Sequence, residues 1–221
     1  MVTEKGERRR AALVAAAADL LRTGGFDAVR HRAVAERAGL PLASTTYYFA
    51  SLPELVVAAM ERSGRDELAG VRAELAALPP DAGGAGRDSH AVVELVLDQL
   101  LGRDSRDDPE AVVLRYERFV GAGRRPYLRP LMRAMRVEFD ALLVDVLARG
   151  GVTLDPRALA RLVAIVDGTV VNSLIEADPD PRAAARAVVH DLLGTGDPDT
   201  GGRAPGDVRP ARGPLGLPQP T

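Results

Sequence analysis

The stretch 31–49, HRAVAERAGLPLASTTYYF, gathers the side chains best suited to meeting another molecule. Leu42, Ala43, Ser44 and Thr45 are apolar or hydroxylated; Tyr47 and Tyr48 follow, and Arg30, His31 and Arg32 precede. Hydroxyls bond bases or phosphates, small apolar groups contact the thymine methyl, and tyrosines hydrogen-bond phosphate well. The chemistry these residues support is nucleic-acid recognition. Catalysis is poorly served. The three histidines, His31, His90 and His190, lie far apart without a paired metal spacing, and there is no cysteine. His190-Asp191 has the form of a fragment of a metal phosphohydrolase motif. Without partner histidines it reads as a surface histidine beside a helix-end aspartate.

Two short helices must position the first group. Val34, Ala35 and Ala38 form one apolar stripe at helical spacing. Gly39 stands where a left-handed residue ends a helix, and Pro41 blocks its continuation. A second helix over Leu42 to Tyr48 completes a helix-turn-helix, whose usual use is to lay the second helix in the major groove of DNA. Phe49 is expected to close the small core behind it, whereas His31 and Arg32 are placed for phosphate.

The pattern Gly25-Phe26, Val34-Ala35, Ala38-Gly39-Leu40, Tyr48-Phe49 and Glu54-Leu55 resembles the TetR family of transcriptional regulators. The resemblance covers residues 8 to 60 in order and spacing; beyond that it is one of length and helical pattern. Two positions depart from the family. Arg30 stands where a Ser or Thr often caps the second helix, and Leu52 where a Lys often meets a phosphate. The resemblance implies a homodimer on a palindromic operator, with recognition helices about 34 Å apart. It also implies a small-molecule effector pocket in the C-terminal body, whose occupation releases the regulator from DNA; repression is the commoner mode in the family, and activation stays open.

Composition is consistent with this. Residues 1–50 hold eight basic against five acidic residues, although the whole chain carries a net charge of −2. A basic end on an acidic body fits DNA binding through one end. Arg8, Arg9 and Arg10 oppose the dipole of the first helix and read either as a solvated end or as a phosphate-seeking arm. No apolar run approaches the roughly 18 residues needed to span a membrane, and the N-terminus lacks a signal-peptide core, so a cytoplasmic protein is expected.

Helical periodicity predicts a first helix over 5–23, a long one over 52–78, and further helices over 89–102, 110–121, 127–149, 156–177 and 181–193. The glycine-rich loop after Pro79-Pro80 follows no strand and precedes no Gly-Lys-Ser, so it is not a phosphate cradle. The expectation is an all-α chain: a helix-turn-helix domain over 1–50, a helical effector-binding and dimerisation domain over 51–194, and a disordered tail over 195–221. In that tail 12 of 27 residues are Gly or Pro, too many for a packed core. Arg115, Tyr116, Phe119, Met132, Met135, Asp167 and Asn172 are the candidate pocket residues; methionines make adaptable walls. Neither a metal nor a cofactor is expected. The competing readings are an all-α enzyme resembling a metal-dependent hydrolase, and a helical partner-binding module without operator specificity.

Overall fold

The computed structural model describes residues 4–78 and 87–194. The tail over 195–221 and the loop over 79–86 lie outside them. Among the described residues there is no strand, and the helices are α1 (Glu4–Ala28), α2 (His31–Ala38), α3 (Ala43–Tyr48), α4 (Leu52–Ala77), α5 (Arg87–Leu101), α6 (Pro109–Gly123), α7 (Arg129–Arg149), α8 (Pro156–Ile175) and α9 (Pro181–Leu193). Short 3₁₀ turns at Arg103–Arg106 and Pro126–Leu128 flank α6.

The helix ends follow from local chemistry. Gly25, at φ 65° and ψ −164°, breaks α1 near its end. Gly39, at φ 63°, closes α2 with its own N–H on the Glu36 carbonyl and that of Leu40 on the Ala35 carbonyl, a Schellman pair. Ser51 caps α4 by accepting from the Glu54 N–H at 3.3 Å, while the Glu54 carboxylate accepts from the Ala50 N–H at 2.8 Å. Asp155 and Asp180 cap α8 and α9, each just before the proline that starts the helix.

Two apolar clusters form. The first packs Leu13, Ala17 and Leu21 of α1 with Val34, Phe49, and Leu55, Val56, Ala59 and Met60 of α4. Ala122 and Leu128 join it from α6 and the turn that follows. The second packs Leu68 and Val71 of α4 with α5, the second half of α7, α8 and α9. The helix α4 therefore belongs to both clusters, one at each end.

In length and composition α8 is apolar enough to cross a membrane, which the sequence reading did not anticipate. Leu159, Leu162, Val163, Val166 and Val170 bury one face of it in the second cluster. The opposite face exposes Ile165, Val171 and Ile175.

Candidate nucleic-acid interface and ligand cavity

Helix α3 presents Leu42, Ala43, Thr46 and Tyr47 outward, with Tyr47 80% exposed. Ser44 is half-buried. Thr45 was expected among the base-reading residues, but it is fully buried. Its hydroxyl donates to the Leu42 carbonyl at 2.8 Å and lies 3.0 Å from His31 Nδ1. Since that hydrogen is already donated, His31 must give an Nδ1–H to the threonine oxygen. The pair ties α2 to α3 instead of facing a ligand. Thr45 points inward because Phe49, one helical turn on, is the largest fully buried side chain and sets the inner face. Thr46, passed over in the sequence, takes the outward place.

The other predicted contacts divide by exposure. Arg30 is exposed, and its Nε donates to the Asp27 carbonyl at 3.2 Å; it supplies no side-chain cap to α2. Arg32 is exposed and bridges Glu36 at 2.8 Å, and that hydrogen bond and charge hold its guanidinium further from deprotonation. Tyr48 is half-buried against the first cluster, its ring edge-on to Tyr47 with centroids 4.8 Å apart. Arg10 lies over the Phe49 ring at 4.9 Å. The outward face of this end thus carries Arg30, Arg32, Ala43, Thr46 and Tyr47, small groups and donors on a surface free of buried charge.

In the body a cavity of about 210 Å³ lies along α4, between Gly64, Glu67, Leu68 and Val71 and residues of α5, α6, α7 and α8. Arg115, Phe119, Met132, Met135 and Asp167 line it, as do Asp98, Gln99 and Phe139. The terminal atoms of Met135 fill the space a Cβ at Gly64 would need, so only glycine lets this side chain lie on α4. Tyr116 is not in the wall but stands behind Asp167, its hydroxyl donating to that carboxylate at 2.7 Å. Burial first, and then the Asp167 charge, push the Tyr116 phenol well above its ordinary range. Asn172 is exposed on α8 and lies outside the cavity, a correction to the sequence reading. Its position, away from the Val166 and Val170 face, turns it outward.

Most charges in the wall are already matched. Arg115 is buried and donates from Nε to the Leu100 carbonyl, from Nη2 to the Gln99 carbonyl, and from Nη1 to Glu67 at 2.7 Å. Arg136 bridges Asp140 at 2.7 Å. Asp98 is fully buried between Arg106 and Arg182. Asp167 alone among the lining carboxylates has no ion pair with a described residue; its recorded partner is the neutral Tyr116 hydroxyl.

Behind the cavity Arg182 bonds Asp98, Glu94 and the Ser105 hydroxyl, and Arg186 bonds Glu94. Burial works against the charge on Glu94, but the hydrogen bonds from Arg186 and Arg182 outweigh it and hold its carboxyl below the ordinary range. This cluster escaped the sequence reading, although Glu94 and Asp98, and Arg182 and Arg186, are each spaced i, i+4 on their helices. His190, expected at the surface, is buried on the inner side of α9 beside Val189. Among the described residues no group of three or more His, Asp or Glu could hold a metal ion.

Residues 13–59 match the family model described as bacterial regulatory proteins, tetR family, and residues 87–195 that of the tetracyclin repressor-like C-terminal domain. No curated protein matches the chain. Among solved structures, multidrug binding protein EbrR complexed with ethidium is 34% identical, with 83% of this chain and 98% of that one covered and a TM-score of 0.59. A TetR family member from Streptomyces coelicolor A3, SCO1917, is 31% identical over 83% of this chain and 97% of its own, with a TM-score of 0.55. A TetR regulator from Haloarcula marismortui ATCC 43049 shares the fold at 18% identity, with a TM-score of 0.65 over 85% and 97% of the two chains. The helix-turn-helix end and the helical body behind it thus match in chain order, and the chain belongs to the TetR family of DNA-binding transcriptional repressors with C-terminal ligand-binding domains.

Proposed function

We propose that this chain is a homodimeric repressor that an aromatic organic cation removes from its operator. The observation that carries the reading is Asp167, an unmatched carboxylate in a wall of Phe119, Phe139, Met132 and Met135. The Phe119 and Phe139 rings already have the Arg115 and Arg136 guanidiniums over them, at 4.9 and 5.9 Å. It is therefore the Asp167 charge beside the thioethers that favours an apolar cation over an anion or a sugar. The relative EbrR was crystallised with ethidium, proflavin and malachite green, all aromatic cations. At about 210 Å³ the cavity is smaller than usual ligand pockets of roughly 300–1,000 Å³. Entry of a dye therefore requires Met135 to leave its seat on Gly64, which loads α4 midway between the two clusters.

Labour divides between residues 1–50, which meet DNA, and 51–194, which bind effector and dimerise. Arg30 and Arg32 contact phosphate, while Leu42, Ala43, Ser44, Thr46 and Tyr47 face the groove, with Tyr48 at its edge. The apolar outer face of α8, including Ile175 at 76% exposure, pairs with the same face of a second copy. A shift of α4 then moves two recognition helices together. Passing from almost all bound to almost all free requires a preference of about 5.5 kcal/mol between the two states.

The test is fluorescence anisotropy on the DNA upstream of the chain's own gene, titrated with tetraphenylphosphonium, a cation that does not intercalate. Release is expected, and Asp167→Asn should raise the concentration required by about tenfold or more, since the Coulombic attraction between the carboxylate and the cation is lost. DNA that stays bound while tetraphenylphosphonium occupies the protein would contradict the mechanism.

A further inference from the structure

We infer that Gln99 selects, among aromatic cations, those that carry an N–H donor; the inference rests on the cavity reading just given. Gln99 lies in the cavity wall and is 3% exposed. Its amide has one orientation: Nε2 donates to the Phe139 carbonyl at 2.6 Å, and the reversed amide would set oxygen against oxygen. The remaining end, Oε1, is shielded from solvent and has no hydrogen-bond partner among the described residues. A buried carbonyl left in this way is a strong acceptor waiting for a donor.

The rest of the wall explains why the donor must come from the ligand. Each nitrogen of Arg115 already donates within the protein, Arg136 is an exposed guanidinium paired in charge with Asp140, and the Tyr116 hydroxyl serves Asp167. The polar atoms left open on the inner wall are therefore acceptors: the Asp167 carboxylate for charge and Gln99 Oε1 for an N–H. A cation with no N–H at all, its amines and its ring nitrogen both alkylated, satisfies the first and leaves the second unmet. Because Oε1 is out of solvent, the ligand reaches it only with some opening of the wall. The flexible Met132 and Met135 in the same lining allow that.

The experiment compares proflavin with 10-methyl acridine orange, which has the same ring system and cationic charge but carries dimethylamino groups in place of the amines and a methyl group in place of the ring N–H. Fluorescence titration of the full-length wild-type chain should show proflavin binding about tenfold more tightly, the size of one buried hydrogen bond. In Gln99→Met, which keeps length and removes the acceptor, that preference should fall to within about twofold. Loss of the Phe139 bond weakens both dyes alike and cancels in the ratio. Equal affinities in the wild type, or a preference that survives Gln99→Met, would overturn the assignment. Should the variant not fold, the wild-type ratio decides alone. If both dyes bind, both weaken in Asp167→Asn, and the ratio ignores Gln99, the cavity reading stands and this inference alone fails. If neither dye binds, both fall.

Discussion

In the first apolar cluster the residues that pack, from Leu13 to Phe49, face inward, arginines lie outside, and the buried hydroxyl of Thr45 is satisfied within the chain. The body is built the other way: it buries Asp98, Arg115 and Arg182 and keeps a cavity beside them. The contrast follows from what each end must meet. A polyanion as large as a duplex is read by a closed surface, whereas a small apolar molecule must be taken out of water. Helix α4 contributes residues to both clusters, so it joins the cavity to the DNA-binding end.

The largest expected effect lies in the body. Arg182→Met leaves Asp98 with one cation and Glu94 with Arg186, and breaking a buried ion cluster costs about 3–5 kcal/mol. Urea unfolding measures it; a loss below about 1 kcal/mol would show that buried charge does not separate the two regions. The same cluster sets an acid limit. Because the folded Glu94 carboxyl is held below its unfolded value of about 4.3, its stabilisation is present above that pH. It is lost as pH falls through the folded value. The wild type should therefore lose stability below about pH 4.3 more steeply than Arg182→Met does.

Next in size is a test inside the helix-turn-helix. Thr45→Val removes the hydroxyl that joins Leu42 and His31, at a cost of about 1–3 kcal/mol in stability, and should weaken binding to all DNA sequences alike. By contrast Thr46→Ala and Tyr47→Ala should leave melting within about 0.5 kcal/mol and cost about 1–3 kcal/mol at particular operator positions. If Thr45 and Thr46 exchange these behaviours, the register of α3 is wrong. Ser51→Ala should cost about 1 kcal/mol by uncapping α4, measurable as a lower denaturation midpoint. The smallest effect belongs to Arg32→Ala, which should reduce the salt slope of DNA binding by about 0.9 per lost phosphate contact in each half of the dimer, with sequence preference unchanged.

The helices were legible because their signals are local. Asp155-Pro156 and Asp180-Pro181 start α8 and α9, Gly39 ends α2, and the Leu142–Val146 stripe lies in the core. The same stripe misleads further back: Met132, Met135 and Phe139 continue its spacing yet are only half-buried, because they line the cavity. Thr45 could have been placed inward from Phe49, four residues later on the same face. The partners of Asp98 could not be found this way, since Arg106 and Arg182 arrive from a turn and a helix whose packing no local pattern specifies. Nor does a sequence distinguish Arg115, whose donors end on two carbonyls of α5 and the Glu67 carboxylate of α4, from an arginine open to a ligand.

The central claim, that occupation of the cavity moves the two DNA-binding ends through α4, is tested most directly by a distance. The chain has no cysteine, so Thr46→Cys at the exposed face of α3 gives one spin-label site per protomer. Pulsed dipolar spectroscopy on the dimer, with and without tetraphenylphosphonium, reads the separation of the recognition helices. The account predicts a separation near that of successive major grooves, about 34 Å, in the free protein, shifted by several ångströms when the cation is bound. An unchanged distance at saturating tetraphenylphosphonium, under conditions where that cation releases DNA, would contradict it.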